Sequence, residues 1–126
     1  MVQATTIEQG GNNLNISGGN VAIGSTETPN STLHLTGSLA LSYRKETSDI
    51  KVTETDNIVL ANATSASITI YLPDAEKVIG RVYYIGKTDE TTNDVIFSPE
   101  LRLTETSNVK SINFAKKYRI VSDGKD

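Results

Sequence analysis

"NVAIGSTETPNSTLHLTG", residues 20–37, alternates apolar and polar positions on both sides of a turn-rich break. Val21 and Ile23 share one face before the break, and Leu33 and Leu35 share one after it, which is the period-two signature of β-strands. Gly24 accepts positive φ and Asn30 and Ser31 bond their own backbone, so the segment between the strands turns. Nothing on either face is larger than leucine. A pair this thin is marginal in water by itself and needs neighbours with the same pattern. That pattern continues outward, with Leu14 and Ile16 upstream and Leu39, Leu41 and Tyr43 downstream, punctuated by Ser17-Gly18-Gly19-Asn20 and Gly37-Ser38.

Composition sharpens the same point. Of 126 residues, 37% are apolar and 6% aromatic, while Ser and Thr together occupy 28 positions. The length suits one domain, or a short extension before a compact one, and a lean chain of this size buries a small share of its surface. Partner copies are therefore expected to complete the core.

Near Glu46-Thr47-Ser48 the strand spacing lengthens and bulkier side chains appear, which puts a boundary there and divides the chain into 1–45 and 46–126. Candidate strands follow at 50–53, 58–61, 67–72, 81–86, 94–97, 101–104, 109–114 and 118–121, a spacing typical of an all-β sandwich or barrel. Pro73 to Val78, closed by Gly80, is long enough for one helical turn. The expected fold is all-β, with an extended N-terminal β shaft and a compact antiparallel β-sandwich-like head. In Ser67–Leu72, alternation turns Ile68, Ile70 and Leu72 inward and Tyr71 outward. Arg81–Ile85 is apolar on both faces, so Tyr83 and Tyr84 diverge, one into the core and one out.

Several function classes find no support. A net charge of -3 with scattered basic residues gives nucleic acid no electrostatic footprint. Without cysteine there are no disulfides and no thiolate metal sites. No apolar run reaches the roughly 18 residues of a membrane span, and Met1 to Thr6 lacks the basic and apolar regions of a signal peptide. Asn15-Ile16-Ser17, Asn30-Ser31-Thr32 and Asn62-Ala63-Thr64 match the glycosylation pattern, as triplets do in any chain rich in Asn, Ser and Thr. His34 is the single histidine, flanked by Leu33 and Leu35 on a thin strand, which suits neither a triad nor a metal centre. Glu54, Asp56, Asp89, Glu90, Asp94, Glu100 and Glu105 sit in turn-like stretches and read as solvated loops instead of a glycosidase pair. Lys87 to Asp94 is rich in oxygen donors but lacks the spaced ligands of a calcium loop. No glycine-rich phosphate loop is present. No catalytic residue, metal or cofactor is expected.

The segment Asn20-Val21-Ala22-Ile23-Gly24-Ser25-Thr26, followed by Pro29 to Ser38, resembles the "NVGIGTTSP…KLHVNGS" stretch of bacteriophage tail-fibre proteins and some bacterial surface proteins. Ile68 to Ala75 and Gly80 to Ile85 are similar to the looser "ITLPDA…GRxYTIKN" pattern of tail-fibre and related virion proteins. Ala22, the longer Glu27-Thr28 insertion and Gly86 depart from those patterns without breaking a strand. The resemblance implies a homotrimer whose N-terminal strands intertwine and bury their Leu, Ile and Val side chains against one another. It implies a non-enzymatic tail-fibre component of a virion, extracellular after release, attached to other virion tail proteins. Its head would be the receptor-binding tip for a host cell-surface glycan or protein. The Ser48-Asp49 and Ser122-Asp123 pairs do not amount to the self-cleaving chaperone domain that ends some fibres, because too little chain follows either. A structural shaft or connector, a bacterial surface adhesin, a small glycan-cleaving enzyme and a monomeric sandwich with a loose arm stay open.

Tyr71, Tyr84 and Tyr118 are the aromatics best placed to face solvent, and a tyrosine ring combines a flat apolar face with a hydroxyl suited to sugars or protein. The expected receptor contact is Tyr71 and Tyr84 with Thr69, Asp89 and Asn93 nearby.

Overall fold

The structure, a computed structural model, describes residues 6–25 and 27–125. Residues 1–5 of the expected shaft, and Thr26 of the fibre-like segment, lie outside the described residues. The chain forms two compact units, Met1–Ala40 and Leu41–Asp126.

In the first unit, β1 (Val21–Ile23) and β2 (Leu33–Leu35) pair in parallel, with Val21 opposite Leu33 and Ile23 opposite Leu35. Val21 N–H donates to Thr32 O at 2.8 Å and Thr36 N–H to Ile23 O at 2.9 Å. Gly24 makes the turn out of β1 at φ +74°, and a Cβ there would sit 2.6 Å from Thr36 O, so both the dihedral and the close backbone require glycine. Leu14, Ile16, Leu39 and Leu41 alternate as strand residues do but belong to no strand of the chain. Alternation supplies a face; a strand also needs a ladder partner.

The second unit holds β3 (Tyr43–Glu46), β4 (Ile50–Lys51), β5 (Ile58–Ala61), β6 (Ile68–Tyr71), a 3-10 turn (Ala75–Lys77), β7 (Val82–Lys87), β8 (Val95–Thr104), β9 (Ser107–Ile112) and β10 (Lys116–Val121). Among the described residues the unit is all-β apart from that turn. Tyr43–Lys45, expected at the end of the shaft, belongs to β3, which pairs with β5, and the division between units falls after Ala40.

The expected antiparallel head is corrected to one with mixed sheets. Strands alternate between two sheets, ordered β10-β7-β5-β3 and β4-β6-β8-β9. Neighbours within a sheet are thus one winding apart and run the same way: β3-β5, β5-β7, β4-β6 and β6-β8 are all parallel. Each crossover that parallel pairing demands is supplied by a strand of the opposite sheet. The chain winds three times, as β3-β4, β5-β6 and β7-β8, and then closes antiparallel, β9 on β8 and β10 on β7.

Register stacks inward side chains in columns. Ile50, Ile70 and Phe97 align in the second sheet, as do Ile68, Val95 and Ile112; Val59 and Ile85 align in the first. All are buried and form one core between the sheets. Arg44 precedes Val59 in its column and Tyr118 follows Ile85, with the Tyr118 ring edge-on to Phe97 at 6.2 Å. The 3-10 turn is capped by Asp74, which accepts from Glu76 N–H and pairs with Lys77 at 2.9 Å.

Candidate functional site

Tyr71 and Tyr84 both face outward, as alternation requires, with 46% and 42% of their surfaces exposed. They stand on different sheets. Tyr71 and Thr69 lie on the outer face of the second sheet, in register with Ser98 and Ile96. Tyr84 lies on the outer face of the first, between Ile58 and Arg119. The core separates the two faces, so the rings point apart and do not form one site.

Asp89 and Asn93 are in the β7–β8 loop and are occupied internally. Lys87 is the last inward position of β7 after Tyr83 and Ile85, and its side chain is fully buried. Its ammonium pairs with Asp89 Oδ1 and donates to Asp89 O at 3.1 Å, Thr91 O at 3.0 Å and Thr91 Oγ1 at 3.3 Å. The oxygens that the sequence gathers in this stretch therefore converge on a lysine of the chain itself. Asp89 also accepts from Ala63 N–H at 2.6 Å and Thr91 N–H at 3.1 Å. Burial works to raise the Asp89 pKa, but the bonds from Lys87, the Thr91 hydroxyl and those two amides hold the carboxyl well below the usual range. Asn93 Nδ2 donates to Ala63 O at 2.7 Å. The network ties the third winding to the second.

The outer face of the first sheet is a different surface. Its outward positions are Tyr43 and Lys45 on β3, Ile58 and Leu60 on β5, Val82, Tyr84 and Gly86 on β7, and Lys117, Arg119 and Val121 on β10. Tyr43, Ile58, Tyr84 and Arg119 align across the four strands. Lys117 lies over Gly86, where a Cβ would meet its Cγ at 2.7 Å. Tyr43, Lys45, Lys117 and Arg119 were not among the expected contacts. They are scattered in sequence and meet only through the sheet's register, parallel from β3 to β7 and antiparallel onto β10, which alternation does not encode.

A cavity of about 280 Å³ opens beside the 3-10 turn, between β8 and β10, with Leu72, Val78, Leu101, Tyr118 and Ile120 in its lining and the Arg102–Asp123 ion pair at its edge. Its lining is mainly aliphatic and aromatic, suited to an apolar group. In the first unit, His34 pairs in register with Ala22, and its Nδ1 is enclosed without a hydrogen-bond partner. Among the described residues no three His, Cys, Asp or Glu side chains cluster as metal ligands, and no helix is long and apolar enough to cross a membrane.

Compared with known protein families, characterised proteins and solved structures, the chain matches none.

Proposed function

We propose that the chain is a non-enzymatic component of a bacteriophage-type tail fibre, a homotrimer whose second unit is the receptor-binding tip and whose first unit joins it to other tail proteins of the virion. The observation that carries this reading is the state of the first unit's apolar side chains. Ile7, Leu14, Ile16, Ile23, Leu33 and Leu39 are all more than half exposed, and Leu39 reaches 70%. Burying an aliphatic side chain of this size is worth about 1.5–3 kcal/mol, so a row of them left in water favours association with copies of itself. The more distinctive fibre-like segment, residues 20–38, occupies the same unit, and there three chains supply what one lacks.

Multi-angle light scattering tests the reading. A mass of three chains is expected, falling towards one chain in the double variant Ile16→Ser, Leu33→Ser. A stable monomer of the unaltered protein at micromolar concentration would sink it.

A further inference from the structure

We infer that the outer face of the first sheet is a site for an anionic polysaccharide, which crosses the strands from Tyr43 to Arg119. The inference rests on the receptor-binding reading and gives it a ligand class. Across the whole chain acidic residues outnumber basic ones, 15 to 12, yet the ten outward positions of this face carry three cations and no carboxylate. None of Lys45, Lys117 and Arg119 enters an ion pair among the described residues. The fold has thus gathered free positive charge on an apolar platform.

Spacing selects the ligand. Tyr43 and Tyr84 are two strands apart in one aligned row, about 10 Å by ordinary strand separation, which is the length of a disaccharide repeat. Half-buried Ile58 lies between them, so two exposed rings can each receive the apolar C–H face of alternate sugars. Arg119, one strand beyond Tyr84, is placed to form a forked contact with a uronic-acid carboxylate or a sulfate. A second copy of the chain laid face to face would oppose these cations with their own equivalents. A nucleic-acid strand, with a phosphate at every residue, asks for denser positive charge than three side chains provide.

The test uses the full chain on an array of uronic-acid-containing and sulfated bacterial polysaccharides, polygalacturonate and heparin, beside neutral polysaccharides and single-stranded DNA. Retention of acidic glycans over neutral ones and over DNA is expected, weakening as salt is raised. Tyr43→Ala, Tyr84→Ala and Arg119→Gln are each expected to weaken the retained glycan about tenfold at unchanged oligomeric mass. The inference is overturned if no acidic glycan is retained, if neutral glycans or DNA bind as well, or if the Tyr43 and Tyr84 variants change the oligomeric mass. It is also overturned if Tyr71→Ala, on the opposite sheet, causes the loss instead. Adsorption to bacterial cells that survives Tyr43→Ala and Tyr84→Ala would leave the receptor reading standing while removing this face; a protein that adsorbs to neither glycans nor cells removes both.

Discussion

Arg44 holds Asp56 at two points, with Nε 2.8 Å from Oδ1 and Nη2 donating to Oδ2 at 3.0 Å. Thr53 adds its N–H at 2.7 Å and its hydroxyl at 2.9 Å, both to Oδ2. Because Arg44 heads the column above Val59, this pair closes the first end of the core, where an apolar side chain would face an open edge. Asp56→Ala removes the carboxylate shared by Thr53 N–H and the Arg44 guanidinium, which keeps only Glu46 and Lys51 O as acceptors. A loss of about 2 kcal/mol is expected, near the value for hydrogen bonds to charged groups, and a fall in Tm of roughly 10 °C in differential scanning calorimetry. A change within error would mean water satisfies both donors.

Lys87 and Asp89 are expected to be strongly coupled. Asp89→Ala strands a buried ammonium and should cost about 3–5 kcal/mol, whereas Lys87→Met removes the charge and keeps the stem. Chemical denaturation of both single variants and the double variant gives the coupling energy. The double variant should be more stable than Asp89→Ala alone. Simple additivity would show that the loop oxygens act independently of the lysine.

Acid should destabilise the second unit through the same two aspartates. For Asp56, burial works to raise the pKa, but bonds from Thr53 and Arg44 lower it below 3.8. The Asp89 pKa is lowered as well. A carboxyl whose folded pKa lies below its unfolded value contributes its full stabilisation above the unfolded value and loses it as pH falls through the folded one. Stability measured by urea titration should therefore be flat at neutral pH and fall below about pH 4. In Asp56→Asn that acid-side slope should be shallower. An unaltered slope would place the titrating groups elsewhere.

Gly86→Ala is expected to loosen β10. The added methyl would meet Lys117 Cγ at 2.7 Å and Lys116 O at 3.0 Å; the side chain can swing away, but the carbonyl cannot move without the strand. The cost should be about 1–3 kcal/mol. Amide exchange should rise at Tyr118 and Ile120 before it rises in β6. Uniform protection across both sheets would show that β10 absorbs the methyl.

Much of the second unit was legible from period-two spacing. The strand at 58–61 appears as read, those at 67–72 and 81–86 within a residue at each end, and the turn at 73–78 became the 3-10 turn. Strand direction was not legible. Buried parallel strands usually read as unbroken apolar runs, but here each sheet has one face on the core and one in solvent, so parallel strands alternate as antiparallel ones do. The outward placement of Tyr71 and Tyr84 follows from spacing, while their separation onto opposite faces depends on which sheet each strand joins. Lys87 continues the inward spacing of Tyr83 and Ile85, one residue beyond the strand expected at 81–86. Among the described residues of the first unit the same alternation yields only β1 and β2, because Leu14 and Ile16 have no ladder partner there.

The β9–β10 segment behaves as a clasp, since β9 joins one sheet and β10 the other. During synthesis the three windings leave the ribosome before it does, and until then β7 and β8 each present an open backbone edge of the kind that templates aggregation. Once paired, β10 forms the edge of the first sheet opposite β3, and it bears Lys116 and Lys117; lysine on an edge discourages further pairing. A chain released at Ala115 keeps every winding and β9 but loses β10, so the β7 edge stays open, and it should be recovered largely in the insoluble fraction. Solubility of the second unit is thereby decided late, only once β10 has emerged and paired with β7.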